Sequence, residues 1–257
     1  MTMKSIVKIL FLDNIKSKVV IIYFVMLALM AWTSLLLEDS ESKGTLTMLN
    51  IVLFVIPLMS LLYSTIYLYN SRDFVVLLLS QPLKRGQIWH SLYGGVAGSL
   101  TIAFLLGAGI PVVLYTKPGT AFIMIMTGVA ITLIFVALAF LTTVLSSDKT
   151  RGIGAAILLW LFLTMIYDAV MMYVIMVFSD YPIEKPTAVL LMLNPLDLAR
   201  FLVILKTEAS AMMGYSGTIF KNLLGKTTGI MVSSLLLIAW VAVPYLLSLR
   251  VFKRKDL

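Results

Sequence analysis

Asp168 is the one acidic residue inside the long apolar stretches of this sequence, and those stretches contain no Lys or Arg to pair with it. A charged side chain at the centre of a bilayer costs about 2.5–3.5 kcal/mol on insertion scales. We expect its carboxyl group to carry a proton, to face a wet cavity, or to bond to a hydroxyl such as that of Thr164 or Tyr167. Asp168 therefore either joins helices structurally or lines a substrate path.

The other residues that could do chemistry do not form complete sets. With no Cys and only one His, His90, the sequence predicts no metal site, and its Met residues are typical core filling, although thioethers can also bind Cu(I). Gly225-Lys226-Thr227 matches the end of a phosphate-binding loop, but Phe220 stands where the first Gly is required. We expect the chain not to be an enzyme by itself and to bind no cofactor, with ATP and Mg²⁺ held by a separate subunit.

The composition indicates the environment in which these side chains are placed. Of 257 residues, 61% are hydrophobic and 12% are charged, whereas a soluble domain is about 45–50% apolar and about 25% charged. This excludes a soluble enzyme, a disordered chain and a disulfide-rich secreted domain. The net charge of +8 does not indicate nucleic acid as a partner, because the basic residues lie mostly at the ends of apolar stretches.

Six stretches are long enough to cross a bilayer core, which takes about 20 apolar residues of helix. The sequence therefore predicts an all-α integral membrane protein with one transmembrane domain over residues 1–257. An intramembrane enzyme is disfavoured, because the stretches contain no His-Glu-x-x-His motif, Asp pair or Ser–His arrangement. The predicted spans are residues 19–37, 48–69, 94–115, 121–145, 152–178 and 228–249.

The basic residues predict the orientation of these spans. They concentrate before the first span, in residues 70–93, around residues 149–151 and after the last span, whereas the short loops on the other side carry only Lys43 and Lys117. Because cytoplasmic loops are enriched in Lys and Arg, both termini are predicted to be cytoplasmic.

Two segments outside the spans have helical patterns. Residues 1–18 place apolar residues such as Ile6 and Leu10 at helical spacing between lysines, which predicts an interfacial amphipathic helix. Residues 179–227 form an extracytoplasmic segment that is still rich in Leu, Met and Ala. Asn194 and Pro195 are a typical helix start, and a second short helix is predicted over residues 218–224.

The loop of residues 70–93 has the pattern of a handle for a soluble partner. Its apolar run is followed by Pro82, which interrupts a helix, and by two basic residues, after which the helical pattern resumes. The alternative is a juxtamembrane loop whose basic side chains snorkel to the bilayer surface. The residues predicted to dock the partner are Phe74, Leu78, Leu79, Pro82, Lys84 and Arg85.

The segment Leu77-Leu78-Leu79-Ser80-Gln81-Pro82, followed by Arg85, resembles the LL-x-x-P-x-x-R stretch of type-2 ATP-binding-cassette (ABC) permeases. The helix after Asn194-Pro195 resembles the outer segment of the same family. Within it, the chain is most similar to the NosY-type permeases of nitrous oxide reductase maturation. It departs from the family at residues 73–76, which read Asp-Phe-Val-Val where Gly-Thr-x-Glu is frequent.

This resemblance implies a homodimeric permease in the bacterial cytoplasmic (inner) membrane, surrounded by lipid, with each copy docking one ABC ATPase subunit through the 74–90 loop. It also implies a periplasmic accessory protein that helps to assemble the copper sites of nitrous oxide reductase. The alternatives are an exporter of lipid, drug or sodium and a membrane anchor without transport. The residues expected to contact the periplasmic partner are Asn194, Pro195, Asp197 and Arg200.

Overall fold

The computed structural model describes residues 3–38, 40–178, 181, 184–205 and 226–254, and its regular elements are all helical. Two π-helical turns, Leu105–Gly109 and Phe162–Ile166, join α5 to α6 and α8 to α9. The prediction of an all-α integral membrane protein is confirmed. The helices are α1 (Met3–Ile15), α2 (Lys18–Leu36), α3 (Glu41–Asn70), α4 (Arg72–Leu79), α5 (Arg85–Phe104), α6 (Ile110–Tyr115), α7 (Pro118–Leu145), α8 (Lys149–Leu161), α9 (Tyr167–Val177), α10 (Glu184–Met192), α11 (Pro195–Ile204) and α12 (Lys226–Arg254).

Six helical stretches of the described chain are long and apolar enough to cross a membrane, as predicted. Several extend beyond the predicted bounds, because the polar residues that flank the apolar runs are helical too. α3 has 30 residues, which is about 45 Å at about 1.5 Å per residue, against about 30 Å for a bilayer core. The stretches are Lys18–Leu36, Ser42–Asn70, Arg85–Tyr115, Pro118–Leu145, Lys149–Val177 and Thr228–Arg254.

Helix α7 forms the centre of the bundle, where it packs against α3, α5 and α12. Phe135 and Phe140 are fully buried on it. Gly128 allows the Phe104 ring to lie against its backbone, since a Cβ at this position would be 2.1 Å from Phe104 Cζ. The fifth and sixth spans lie at the periphery, with the smallest share of their apolar windows buried.

The N-terminal helix α1 is part of the bundle as well as amphipathic. Its buried residues Ile6 and Leu10 face α5, where a Cβ on Gly95 would be 2.8 Å from Leu10 Cβ. The Tyr63 hydroxyl of α3 donates a hydrogen bond to Oδ1 of buried Asn14 at 2.6 Å. This packing places α1 at the end of the bundle that also holds the last turn of α12 and the α3–α4–α5 connection, which we call the terminal end.

Helices α10 and α11 form a bent pair at the opposite, distal end, with 104° between Pro186–Met192 and Pro195–Ile204. The predicted helix start is confirmed: Asn194 Oδ1 accepts the Leu196 N–H at 3.1 Å, and Pro195 is the first residue of α11. The second short helix predicted over residues 218–224 lies outside the described residues.

Candidate functional site

Helix α4 presents an apolar face at the terminal end, but not the face that the sequence predicted. Val75 and Leu78 are buried, at 6% and 4% exposure, because residues three apart share the side of α4 that packs on the bundle. Phe74 and Leu77 lie on the outer side, with exposures of 40% and 66%. Leu78, which the sequence predicts to enter a groove on a partner, is thus turned towards the bundle, and Leu77 is the exposed leucine of α4; Leu79 is half-buried against the core.

A hydrogen bond connects the turn after α4 to α12. Pro82 is exposed between α4 and α5, and the backbone N–H of Lys84, at the N-cap of α5, donates to Gln87 Oε1 at 3.3 Å. The predicted docking residue Arg85 donates through Nη1 to the carbonyl oxygen of Lys253 at 3.4 Å. Arg85 therefore connects the turn to the C-terminal turn of α12, where unpaired helix carbonyls need donors.

Next to this turn, aromatic contacts pack α5 against α7 and α12. Trp89 is buried and stacks on Phe252 of α12 with ring centroids 4.2 Å apart. Its Nε1–H donates to Ser248 Oγ at 3.1 Å, and its ring meets Phe140 of α7 edge-on at 4.8 Å. These contacts join the start of α5 to both α7 and α12.

The short loop between α7 and α8 lies beside α4. Arg72 Nη1 donates to the Ser147 carbonyl at 3.2 Å, and Lys149 Nζ donates to Asn70 Oδ1 at 2.8 Å. Tyr69, near the end of α3, donates to the Ser146 carbonyl at 3.0 Å. The two loops of the terminal end thus form one basic surface around the exposed apolar face of α4.

The partner of Asp168 is Arg200 of α11. Arg200 Nη1 donates to Asp168 Oδ2 at 3.2 Å and to Asp197 Oδ1 at 3.4 Å. The side chains of Arg200 and Asp168 are 38% and 37% exposed, whereas Asp197 is 10% exposed. Two carboxylates therefore share one guanidinium group, and the cluster has an excess negative charge when both are ionised.

The hydroxyl partners expected for Asp168 bond elsewhere. Thr164 Oγ donates to the Trp160 carbonyl at 2.6 Å, and the Tyr167 hydroxyl donates to the Leu190 carbonyl. That expectation was wrong because Arg200 lies 32 residues further along the chain and outside the spans. Only the α10–α11 bend brings the guanidinium group back to α9.

Asn194 fastens α11 to the π-helical turn of the fifth span. Its Nδ2 donates to the Leu163 carbonyl and to Asp197 Oδ2, both at 3.1 Å. A π turn disrupts the regular hydrogen-bond ladder of a helix, and side chains commonly satisfy the freed groups. Asn194 and Pro195 are buried, so of the four residues expected to contact a periplasmic partner, only Arg200 is substantially exposed.

A cavity of about 310 Å³ adjoins this ion pair. One wall is polar, with the Asp168–Arg200 pair, and the other is apolar. The cavity is one of the environments expected for Asp168, and it brings Asp168 and Arg200 together with residues that the sequence did not single out. The lining residues are Asn50, Leu53, Phe54, Leu163, Thr164, Asp168, Leu196 and Arg200.

Among the described residues, no group of three or more His, Asp or Glu side chains is arranged to hold a metal ion. His90 is exposed on α5 and hydrogen-bonds through Nδ1 to the hydroxyl of Tyr245 on α12. The Met residues predicted to fill the core include buried Met124 and Met171 and exposed Met172 and Met176.

Six helices of membrane-spanning length are consistent with a multi-pass membrane protein, and the short helix α4 adds an exposed apolar face at the terminal end. Residues 46–257 match the family described as "ABC-2 family transporter protein", and the chain belongs to that family. It is therefore a membrane protein of the ABC-2 transporter family.

Two curated relatives carry the name "Probable ABC transporter permease protein NosY". The one from Pseudomonas aeruginosa is 28% identical over 173 residues, which cover 63% of this chain and 63% of the relative. The one from Stutzerimonas stutzeri is 25% identical over 224 residues, covering 79% of this chain and 76% of the relative. The match to the first relative thus spans less than two thirds of its length.

Proposed function

We propose that two copies of this chain form the membrane part of a NosY-type transporter that couples a separate ATPase to copper-site assembly of nitrous oxide reductase. The observation that carries the coupling role is the exposed face of α4, where Phe74 and Leu77 stand outside the bundle beside basic loops. An apolar helix face of this kind fits a groove on a soluble protein. The assignment to nitrous oxide reductase is supported by the two relatives named NosY.

The proposed orientation has both termini in the cytoplasm of a bacterium, with the permease in its inner membrane. The described basic residues concentrate at the terminal end, including Arg72, Lys149, Arg250 and Lys253. The positive-inside rule places such an end in the cytoplasm, where an ATPase can reach α4. The distal bend then faces the periplasm.

The proposed coupling path runs through contacts within the chain. Closure of two ATPase subunits on ATP pushes α4 and the Pro82 turn, and the Trp89 contacts pass the displacement to α7 and α12. Helix α7 packs against α11, so the distal bend responds. The peripheral fifth and sixth spans supply apolar surface for a second copy.

At the distal end, the periplasmic partner is expected to meet the segment that includes α11, with Arg200 as the accessible member of the predicted set. Asn194 and Pro195 hold that segment in place from within. The proposal requires no transported ligand, because motion alone can be transmitted to the partner.

Two experiments test the proposal at separate levels. Purified with its cognate ATPase subunit, the chain is expected to give a two-plus-two complex by native mass spectrometry, and purified alone to hydrolyse no ATP. Deletion of its gene is expected to leave nitrous oxide reductase short of copper while the reductase polypeptide is still exported. A fully copper-loaded reductase in the deletion strain would refute the maturation role and favour an exporter of lipid, drug or sodium. Normal maturation with an ATPase-dead partner would favour an assembly anchor without transport.

A further inference from the structure

We propose that the distal cavity between α3, the π turn of the fifth span and α11 binds the headgroup of a phosphatidylethanolamine-type lipid. Such a headgroup carries both a phosphate and a primary ammonium group. The proposal concerns the permease chain alone and is independent of its ATPase and of the reductase.

The cavity wall presents polar side-chain atoms of Asn50, Asp168 and Arg200. Arg200 makes both of its ion-pair contacts through Nη1, and within the described part of the chain its Nη2 and Nε make no hydrogen bond. The same holds there for the side-chain amide of Asn50, and Asn50, Asp168 and Arg200 all line the cavity. Guanidinium donors and a carboxylate acceptor are thus presented side by side.

The cavity wall carries both a positive and a negative charge, on Arg200 and Asp168. A purely anionic ligand would meet the Asp168 carboxylate next to the guanidinium group, and a simple cation would meet the positive charge of Arg200. A zwitterion satisfies both, because its phosphate accepts from Arg200 and its ammonium group donates to Asp168. Hydrogen bonds between charged groups are the strong ones in such a site.

The height of the cavity in the membrane follows from the packing of α2 against α3. Ser34 of α2 lies opposite the α3 stretch from Gly44 to Met48: a Cβ on Gly44 would be 3.0 Å from the Ser34 carbonyl oxygen, and Ser34 Oγ lies 3.6 Å from Met48 Sδ. Because the two helices are antiparallel, Asn50 lies within about one helical turn of the level of Trp32. Trp32 pairs edge-to-face with Tyr115 at 5.5 Å, and exposed Trp and Tyr side chains mark the headgroup level of a bilayer. The polar wall of the cavity is therefore at the depth of lipid headgroups.

The size and walls of the cavity also suit a lipid. At about 30 Å³ for each water-sized group, its volume accommodates the about eight non-hydrogen atoms of phosphoethanolamine. Leu53, Leu163 and Leu196 supply the apolar wall, and Phe54 is exposed on the bundle surface at its rim. Acyl chains can leave the cavity along that surface while the headgroup stays bound.

The test measures lipids retained by the full-length chain in native mass spectrometry, after exchange into mixtures of phosphatidylethanolamine, phosphatidylcholine and phosphatidylglycerol with identical acyl chains. We expect phosphatidylethanolamine to be retained over the other two by about tenfold, the equivalent of about 1.4 kcal/mol. Phosphatidylcholine lacks the ammonium N–H groups, and phosphatidylglycerol lacks the positive charge. Equal retention of the three lipids would refute the proposal.

Variants locate the site. Asn50→Leu fills the rim without breaking a hydrogen bond of the described chain, and Arg200→Lys keeps a positive charge beside Asp168 but loses the planar fork of donors. Both are expected to abolish the preference for phosphatidylethanolamine. Thr33→Val, at a similar height on α2 and outside the cavity lining, is the matched control and is expected to keep it.

If both cavity variants retain the preference, the lipid is bound elsewhere and the proposal is refuted. The last part of the test adds soluble phosphoethanolamine as a competitor of the bound lipid. If it displaces the lipid at equal concentration, the cavity is a site for a free zwitterion rather than for a membrane lipid. If it does not displace the lipid, the acyl chains contribute to binding, as the apolar wall requires.

Discussion

The exposed face of α4 allows a sharp comparison between two neighbouring leucines. Leu77 is 66% exposed and Leu78 is 4% exposed, yet they are the same residue type, one position apart on the same helix. If α4 docks an ATPase through its outer face, Leu77→Asp should release the ATPase and leave the permease folded. Leu78→Asp should instead damage the permease itself, because it places a charge within the core.

The magnitudes follow from burial. Full burial of a Leu side chain at an interface contributes about 1.5–3 kcal/mol, and an unpaired charge forced into that interface costs several kcal/mol more. Even a loss of about 4 kcal/mol, below the sum of these two terms, weakens binding by nearly a thousandfold, which is enough to separate a micromolar complex. For Leu78→Asp the same charge penalty acts on the folding of the chain, since Leu78 contacts the bundle rather than a partner.

The assay is co-purification of the ATPase with tagged permease, expressed as ATPase per permease, together with permease abundance in the membrane. Leu77→Asp is expected to lower the ratio at normal abundance, and Leu78→Asp to lower abundance. Leu77→Met conserves the apolar contact and should behave as the wild type. If Leu77→Asp keeps the wild-type ratio, the outer face of α4 is not the docking surface, and the loop between α7 and α8 becomes the leading alternative.

Three further predictions concern orientation and packing. A reporter active only in the cytoplasm should be active when fused to the C-terminus and inactive when inserted at Tyr181, and the reverse result would invert the proposed topology. Arg200→Leu should lower the thermal stability of the purified chain more than Asp168→Asn, because it leaves two carboxylates without their shared cation; equal losses would show that the ion pair contributes little. Gly128→Ala should lower folded yield by overpacking, at about 1–3 kcal/mol, since the new Cβ would lie 2.1 Å from Phe104. Adding Phe104→Leu should recover part of that yield. If the yield is not recovered, contact between the new Cβ and the Phe104 ring is not the cause of the loss.

The amino-acid sequence by itself determined the features that depend on local pattern. The six spans follow from apolar runs of bilayer length, and the start of α11 follows from Asn194 and Pro195, because the energetic need to satisfy backbone hydrogen bonds in lipid and at helix ends is local. The short helix before Pro82 was predictable for the same reason. These elements were found in the structure with bounds that differ mainly where polar flanks continue a helix.

Only the tertiary structure decided which sides of those helices meet. The rotation of α4, which buries Leu78 and exposes Leu77, depends on what packs beneath it, and eight residues of mostly apolar helix do not specify that rotation by their own pattern. The cation for Asp168 comes from Arg200 because the chain bends by 104° between α10 and α11. Pairings of this kind join residues far apart in the sequence, and their geometry exists only once the helices have packed.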